Sequence, residues 1–156
     1  MEVTIREANN GDAAAVRRVV FDVLGEYGIK PGPAATDRDL DDIEGAYLQS
    51  GGTFRVIEAA DGTVVGCGGL LPLSPDELEL RKMYLLPEFR GRGLGKRLLV
   101  ELIEHARQRQ VARITLETAT VLKEAIALYR AFGFVPSSRA NLAGRCDQAW
   151  ELHLRN

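Results

Sequence analysis

Arg90-Gly91-Arg92-Gly93-Leu94-Gly95 carries the pattern in this chain best suited to chemistry. It joins a run that reads as a strand, Glu77–Leu86, to one that reads as a helix from Gly93 onward. A helix N-terminus exposes backbone N–H groups without intrahelical partners and carries a partial positive charge, so an anion is stabilised there. Glycines at 91, 93 and 95 leave no Cβ between that backbone and an approaching phosphate. Arg90, Arg92 and Lys96 add side-chain positive charge, and a guanidinium can hold two phosphate oxygens at once. Glycine in a helix costs about 1 kcal/mol relative to alanine, so this density invites a functional reason. The segment reads as a backbone cradle for a pyrophosphate.

Two familiar phosphate motifs fit less well. A P-loop ends in Gly-Lys-Ser/Thr, and Gly95-Lys96-Arg97 lacks the hydroxyl that would meet Mg²⁺. A dinucleotide fingerprint has a glycine where Lys96 stands. A tight turn with exposed arginines is the plain structural alternative.

The elements around the cradle follow from periodicity. Val3–Ala8 alternates like a strand, and Asn9 or Asn10 can cap a helix whose Val16, Val19, Val20, Val23 and Leu24 share one face. Thr36 can cap a second, acidic helix through Asp37–Leu48. Its carboxylates read as a solvated face, with an acidic wall beside a cationic substrate as the alternative. Thr53–Ala60 and Thr63–Leu71 flank Asp61-Gly62, a two-residue hairpin signal. In Gly93–Gln110, Leu94, Leu98, Leu99, Leu102, Ile103 and Ala106 form an apolar face. A strand over Ala112–Ala119, a helix over Lys123–Phe132 ended by Gly133, and strands at Phe134-Val135 and Gln148–Leu154 complete the chain. The order implies a mixed sheet with helices packed on it.

The 156 residues suit one domain, 1–156, and 46% apolar with 27% charged is ordinary for a globular chain. A net charge of −2 argues against general nucleic-acid binding. No apolar run is long enough to span a membrane, and no secretion signal is visible. Cys67 and Cys146 form no metal-site pattern with His105 or His153, so free thiols in a reducing cytoplasm, and no metal, are expected.

With its context, the cradle resembles the GNAT superfamily of acyl-CoA-dependent N-acyltransferases. Arg90-x-x-Gly93-x-Gly95 fits that family's pyrophosphate motif, and Leu80-Arg81-Lys82-Met83-Tyr84-Leu85-Leu86-Pro87 looks like its central strand. Ala125-Ile126-Ala127-Leu128-Tyr129-Arg130-Ala131-Phe132-Gly133-Phe134 is similar to its second signature. The resemblance is strongest over 77–135. It implies a mixed α/β fold with a central twisted, mostly antiparallel sheet of about six or seven strands flanked by about four helices. It implies acetyl-CoA as cosubstrate, with the pyrophosphate held by Arg90, Gly91, Arg92, Gly93, Leu94, Gly95 and Lys96. The pantetheine arm would lie along the backbone of Met83, Tyr84 and Leu85, adding to a strand edge. The family's general-acid tyrosine falls on Tyr129, whose phenol can protonate a leaving sulfur. A tyrosine merely packed beside Ile126 and Phe132 is the alternative.

Glu79 is the candidate base. Alternation places Glu77, Glu79, Arg81, Met83 and Leu85 on one face of the strand. A carboxylate paired with Arg81 or simply solvated is the alternative. Leu122 stands where many members carry an asparagine that contacts the cofactor, so that contact is either missing here or replaced by Thr118 or Thr120. The loop Ser137–Asp147 could wall the acceptor site, with Asp147 near a cationic amine; an ordinary loop and an inert Cys146 are the plainer reading. The function implied is acetyl transfer to a primary amine of a small molecule, amino acid or peptide in a ternary complex. A non-catalytic acyl-CoA-binding sensor or interaction module is the alternative. An open edge near the C-terminal strands could support a homodimer.

Overall fold

Seven strands form one mixed sheet in the computed structural model, which describes residues 2–138, 142 and 144–155. The strands are β1 (Val3–Glu7), β2 (Thr53–Ala59), β3 (Val64–Ser74), β4 (Glu77–Leu85), β5 (Arg113–Thr118), β6 (Val135–Pro136) and β7 (Gln148–His153). Their order is β1-β2-β3-β4-β5-β7-β6, and β4–β5 is the parallel pair. The expected mixed, mostly antiparallel architecture is the one observed.

Adjacent strand residues point to opposite faces, and helices cover both. Val56 and Val64 pack with α1 (Ala13–Glu26), whose Val16, Val19, Val20 and Leu24 are buried there. Their neighbours Ile57 and Val65 pack with α2 (Leu94–Gln108) and α3 (Lys123–Ala131). All six predicted apolar positions of α2 are buried. Each fully buried leucine contributes about 1.5–3 kcal/mol relative to exposure. Asn9 caps the chain's entry to α1: its side chain accepts from Gly11 N at 2.8 Å, and Asp12 returns a bond to Asn9 N at 2.9 Å.

Three local features depart from the sequence expectation. The hairpin loop has three residues, not two. Gly62 N donates to Ala59 O at 2.9 Å and Ala59 N to Thr63 O at 2.8 Å, with Gly62 left-handed at φ 88.

The acidic segment is not one α-helix capped by Thr36. A 3-10 stretch, Ala34–Asp42, breaks at Asp37 (φ −112, ψ 22) and is followed by a π-helical turn, Glu44–Leu48. Residues two apart on an α-helix face different ways, yet Asp37 and Asp39 both turn inward to one cation, Lys82, at 3.3 and 3.2 Å. The irregular backbone makes that convergence possible. These two carboxylates are therefore buried ion-pair members rather than part of a solvated face.

The third departure is in β4. Lys82 has φ 57, and two β4 residues between Arg81 and Tyr84 oppose one β3 residue between Gly69 and Cys67. This bulge reverses the alternation. Leu78 and Leu80 share the α2 side with Met83 and Leu85, while Tyr84 packs on the α1 side with Cys67. Glu79 and Arg81 consequently do not share a face with Met83 and Leu85.

A left-handed residue with a Cβ costs about 1–2 kcal/mol. At Lys82 that cost is offset by three acceptors for its three donors: Asp37, Asp39 and Thr36 O at 3.5 Å. Arg145 closes the cluster with a fork on Asp37, at 2.8 and 3.3 Å, and a bond to Pro31 O at 3.0 Å. Burial alone would raise the Asp37 carboxyl, but the Arg145 hydrogen bonds and the Lys82 charge outweigh it and hold the carboxyl below its ordinary range. A depressed folded value means stability that is present above the unfolded value of about 4 and is lost as pH falls through the folded one. Asp37→Asn should therefore destabilise the protein by roughly 3–5 kcal/mol at pH 7 in urea unfolding. The gap to the native chain should shrink below pH 4; a gap constant down to pH 2 would contradict this account.

Candidate active site

The parallel pairing of β4 with β5 runs from Glu77–Leu80 against Arg113–Leu116 and then stops. Beyond it, Tyr84 and Leu85 stay with Cys67 and Gly66 of β3, while Glu117 and Thr118 stay with Ala149 and Gln148 of β7. The two strands part, and among the described residues Arg81–Leu85 has no strand partner on that edge. The bulge at Lys82 lies just past the last paired residue.

Two cavities meet at this wedge. One, of about 270 Å³, is lined by Met83, Tyr84, Leu85, Arg90, Gly91, Gly93, Leu94, Gly95 and Lys96. The other, of about 630 Å³, is lined by Glu79, Arg81, Lys82, Glu117, Thr118 and Arg145, among others. Tyr129, Met83, Tyr84, Leu122 and Ala125 line both. The structure thus brings the predicted cradle, strand end and tyrosine together in one cavity and places Glu79 in its neighbour.

The cradle is built as the glycines require. After the 3-10 turn Pro87–Phe89, Gly91 and Gly93 are left-handed at φ 78 and 77. Nothing lies within 4 Å of a Cβ added to either, so conformation rather than packing demands glycine, and the space beside the backbone is open. Gly93 starts α2 with no side-chain cap, and the first helical bond is Arg97 N to Gly93 O at 3.0 Å. The amides of Leu94, Gly95 and Lys96 precede that bond. Uncapped amides, an open backbone and Lys96 fit a pyrophosphate.

Arg90, expected to offer its charge to the phosphate, is instead bonded within the protein. Its two Nη atoms fork onto Glu26 at 2.7 and 2.9 Å, and Nη1 also donates to Tyr27 Oη at 3.2 Å. Leu86 N donates to Val65 O at 2.9 Å, which turns the adjoining Leu85 carbonyl toward the wedge, where Arg90 Nε donates to it at 2.9 Å. Arg90 therefore ties the loop to α1 and to the strand end. The Arg92 guanidinium lies 5.3 Å from the Phe89 ring centroid, and Arg92 does not line the smaller cavity.

Tyr129 is 5% exposed, its ring 5.6 Å from that of Phe134. Burial, with the neighbouring Tyr84 and Cys146, pushes its phenol above the ordinary value, so it stays a proton donor at neutral pH. Glu79 is buried and ion-paired with Arg81 Nε. Burial and the Glu117 charge push the Cys146 thiol up to about 11, which leaves it unreactive at neutral pH. Asp147 is committed elsewhere: its Oδ1 accepts from Thr120 N at 2.8 Å and from Thr120 Oγ1 at 2.9 Å, and it does not line the larger cavity. Of the loop 137–147, residues 139–141 and 143 lie outside the described residues, while Leu142, Gly144, Arg145 and Cys146 line the larger cavity. No cluster of metal-ligand type occurs among the described residues, and no described helix is long and apolar enough to cross a membrane.

Arg145 lines the larger cavity, as expected for a residue of the loop 137–147. The sequence did not mark Arg81 and Lys82 as wall residues: their adjacent positive charges are visible there, but which of them is paired from behind depends on residues distant in sequence.

Known proteins share both the motifs and the fold. The acetyltransferase (GNAT) family model matches residues 19–134. The uncharacterized N-acetyltransferase YjgM of Escherichia coli (strain K12) is 44% identical over 128 residues, covering 79% of this chain and 76% of that protein. The chain spans only 44 to 46% of the length of the vertebrate N-acetyltransferases it also matches. An acetyltransferase of the GNAT family from Staphylococcus aureus superimposes with a TM-score of 0.92 at 24% identity, covering 99% of this chain and 100% of that one. The yncA protein of Salmonella typhimurium, solved with its cofactor acetyl-CoA, gives 0.77 at 22% identity, covering 100% of this chain and 96% of that one. A family match over most of its length, on the same fold end to end, makes this chain a member of the acetyltransferase (GNAT) family.

Proposed function

We propose that the protein transfers an acetyl group from acetyl-CoA to a primary amine of a small molecule, amino acid or peptide, with both substrates held together in the wedge. The observation that carries this reading is the position of Tyr129, a protonated phenol on the wall shared by a phosphate-suited cavity and a larger polar one. Family membership and a fold neighbour solved with acetyl-CoA support the choice of donor. Acetyl-CoA supplies an activated acetyl thioester.

The amides of Gly91–Lys96 hold its pyrophosphate, and the open edge at Met83–Leu85 takes its amide arm. Glu79 faces the acceptor cavity and takes the proton of the attacking amine, directly or through water. Tyr129 donates a proton to the departing sulfur. Holding both reactants in adjoining cavities removes the need for a covalent enzyme intermediate. Glu79 and Tyr129 thus have opposite proton tasks on either side of the reacting centre.

Acetyl-CoA should raise the melting temperature, and a panel of primary amines should release free thiol. Absence of a thermal shift at millimolar acetyl-CoA would refute the donor; a shift without turnover of any amine would favour a non-catalytic binding module. Tyr129→Phe keeps the ring and removes the proton. It should lower kcat by roughly 10²-fold or more while sparing the acetyl-CoA thermal shift. Unchanged turnover would remove Tyr129 from the mechanism.

A further inference from the structure

We infer that the acceptor carries a carboxylate beside its amine, as a free α-amino acid does, and that Arg81 is the residue that selects it. The inference rests on the acetyl-transfer reading above. Among the described residues, three cations line the larger cavity: Arg81, Lys82 and Arg145. Two of them are already neutralised from behind the wall. Lys82 has an acceptor for each of its three donors in Asp37, Asp39 and Thr36 O. Arg145 is forked on Asp37 and bonded to Pro31 O.

Arg81 is different. Its Nε is held by Glu79, but its two terminal nitrogens have no hydrogen-bond partner among the described residues. Its side chain is 35% exposed at the cavity wall, beside the apolar Leu80, Met83, Tyr84 and Leu116. A guanidinium fork fixed at Nε and open at both Nη atoms matches the two oxygens of a carboxylate.

Glu79 determines what else the ligand must be. As the group assigned to take the proton of the attacking amine, it lines the same cavity as Arg81, so the Arg81 fork and the reacting amine share one space. The Arg81 fork and the Glu79 carboxylate are joined through one hydrogen bond, so positive and negative groups lie side by side. An α-amino acid presents the complementary pair, with carboxylate and amine on one carbon. A carboxylate on the Arg81 fork brings the amine to Glu79, the group assigned to take its proton, in the cavity that Tyr129 also lines. Arg81 then sets specificity and orientation.

The test uses the full chain in complex with CoA, titrated calorimetrically with the standard α-amino acids, their α-carboxamides and the corresponding decarboxylated amines. At least one amino acid should bind roughly 10- to 100-fold tighter than its amide or amine. The same ranking should appear in acetyl-CoA turnover, mainly through KM. Arg81→Gln should erase the ranking while keeping the acetyl-CoA thermal shift that reports an intact fold. Arg81→Lys, which keeps the charge but loses the fork, should restore it only in part. Equal binding of acids and amides by the native chain would overturn the inference and leave acetyl transfer standing. A ranking that survives Arg81→Gln would remove Arg81 from the role. If no amine is turned over, the acetyl-transfer reading fails, and the binding ranking in the CoA complex still decides the carboxylate question.

Discussion

The ammonium of Lys82 has to be satisfied in the interior, and the architecture of the site follows from how that is done. A lysine buried without partners would carry a large desolvation cost. Here the strand turns left-handed at Lys82, and the ammonium reaches Asp37 and Asp39. The same contact bends the acidic segment out of regular helix and gives Arg145 a carboxylate to grip. One ion cluster thus joins the N-terminal helical layer, the central strand and the segment leading into β7. The bulge it stabilises lies where β4 and β5 cease to pair, so the wedge at which the two cavities meet begins at this charge cluster.

On the other side of the wedge the constraint is conformational. Gly91 and Gly93 occupy left-handed geometry that leaves the start of α2 uncapped and open. Arg90 stabilises that arrangement by bridging Glu26, Tyr27 and the Leu85 carbonyl. Its charge therefore shapes the loop and the strand end, while Gly91, Gly93, Leu94, Gly95 and Lys96 line the smaller cavity. Tyr129 lies between the two halves, buried enough to keep its proton and shared by both cavities.

Much of this was legible in the residues. The α1 and α2 faces follow from 3.6-residue periodicity, and the cradle follows from glycines and basic residues at a strand-to-helix junction. The position of Tyr129 came from a resemblance rather than from periodicity. What failed to show did so for identifiable reasons. Alternation assumes an unbroken pleat, and the bulge at Lys82 is stabilised by Asp37 and Asp39 more than 40 residues away in sequence, which local pattern does not register. The same distant pairing turned an apparently solvated acidic helix into a buried, irregular one. Asp61-Gly62 marked the hairpin correctly, but the choice between two and three loop residues depends on the register shift between Ile57 and Glu58. The acceptor cavity is assembled from segments with no common motif, so its charge balance appears only once they are brought together.

The central claim is that one wedge holds the acyl donor on the cradle side and the amine on the Glu79 side, with Tyr129 between them. A crystal structure of the protein with CoA tests it most directly. The account predicts the pyrophosphate on the amides of Gly91–Lys96, the pantetheine arm along Met83–Leu85 and the thiol beside the Tyr129 hydroxyl, open toward Glu79. A thiol directed away from Tyr129, or CoA bound outside the cradle, would contradict it.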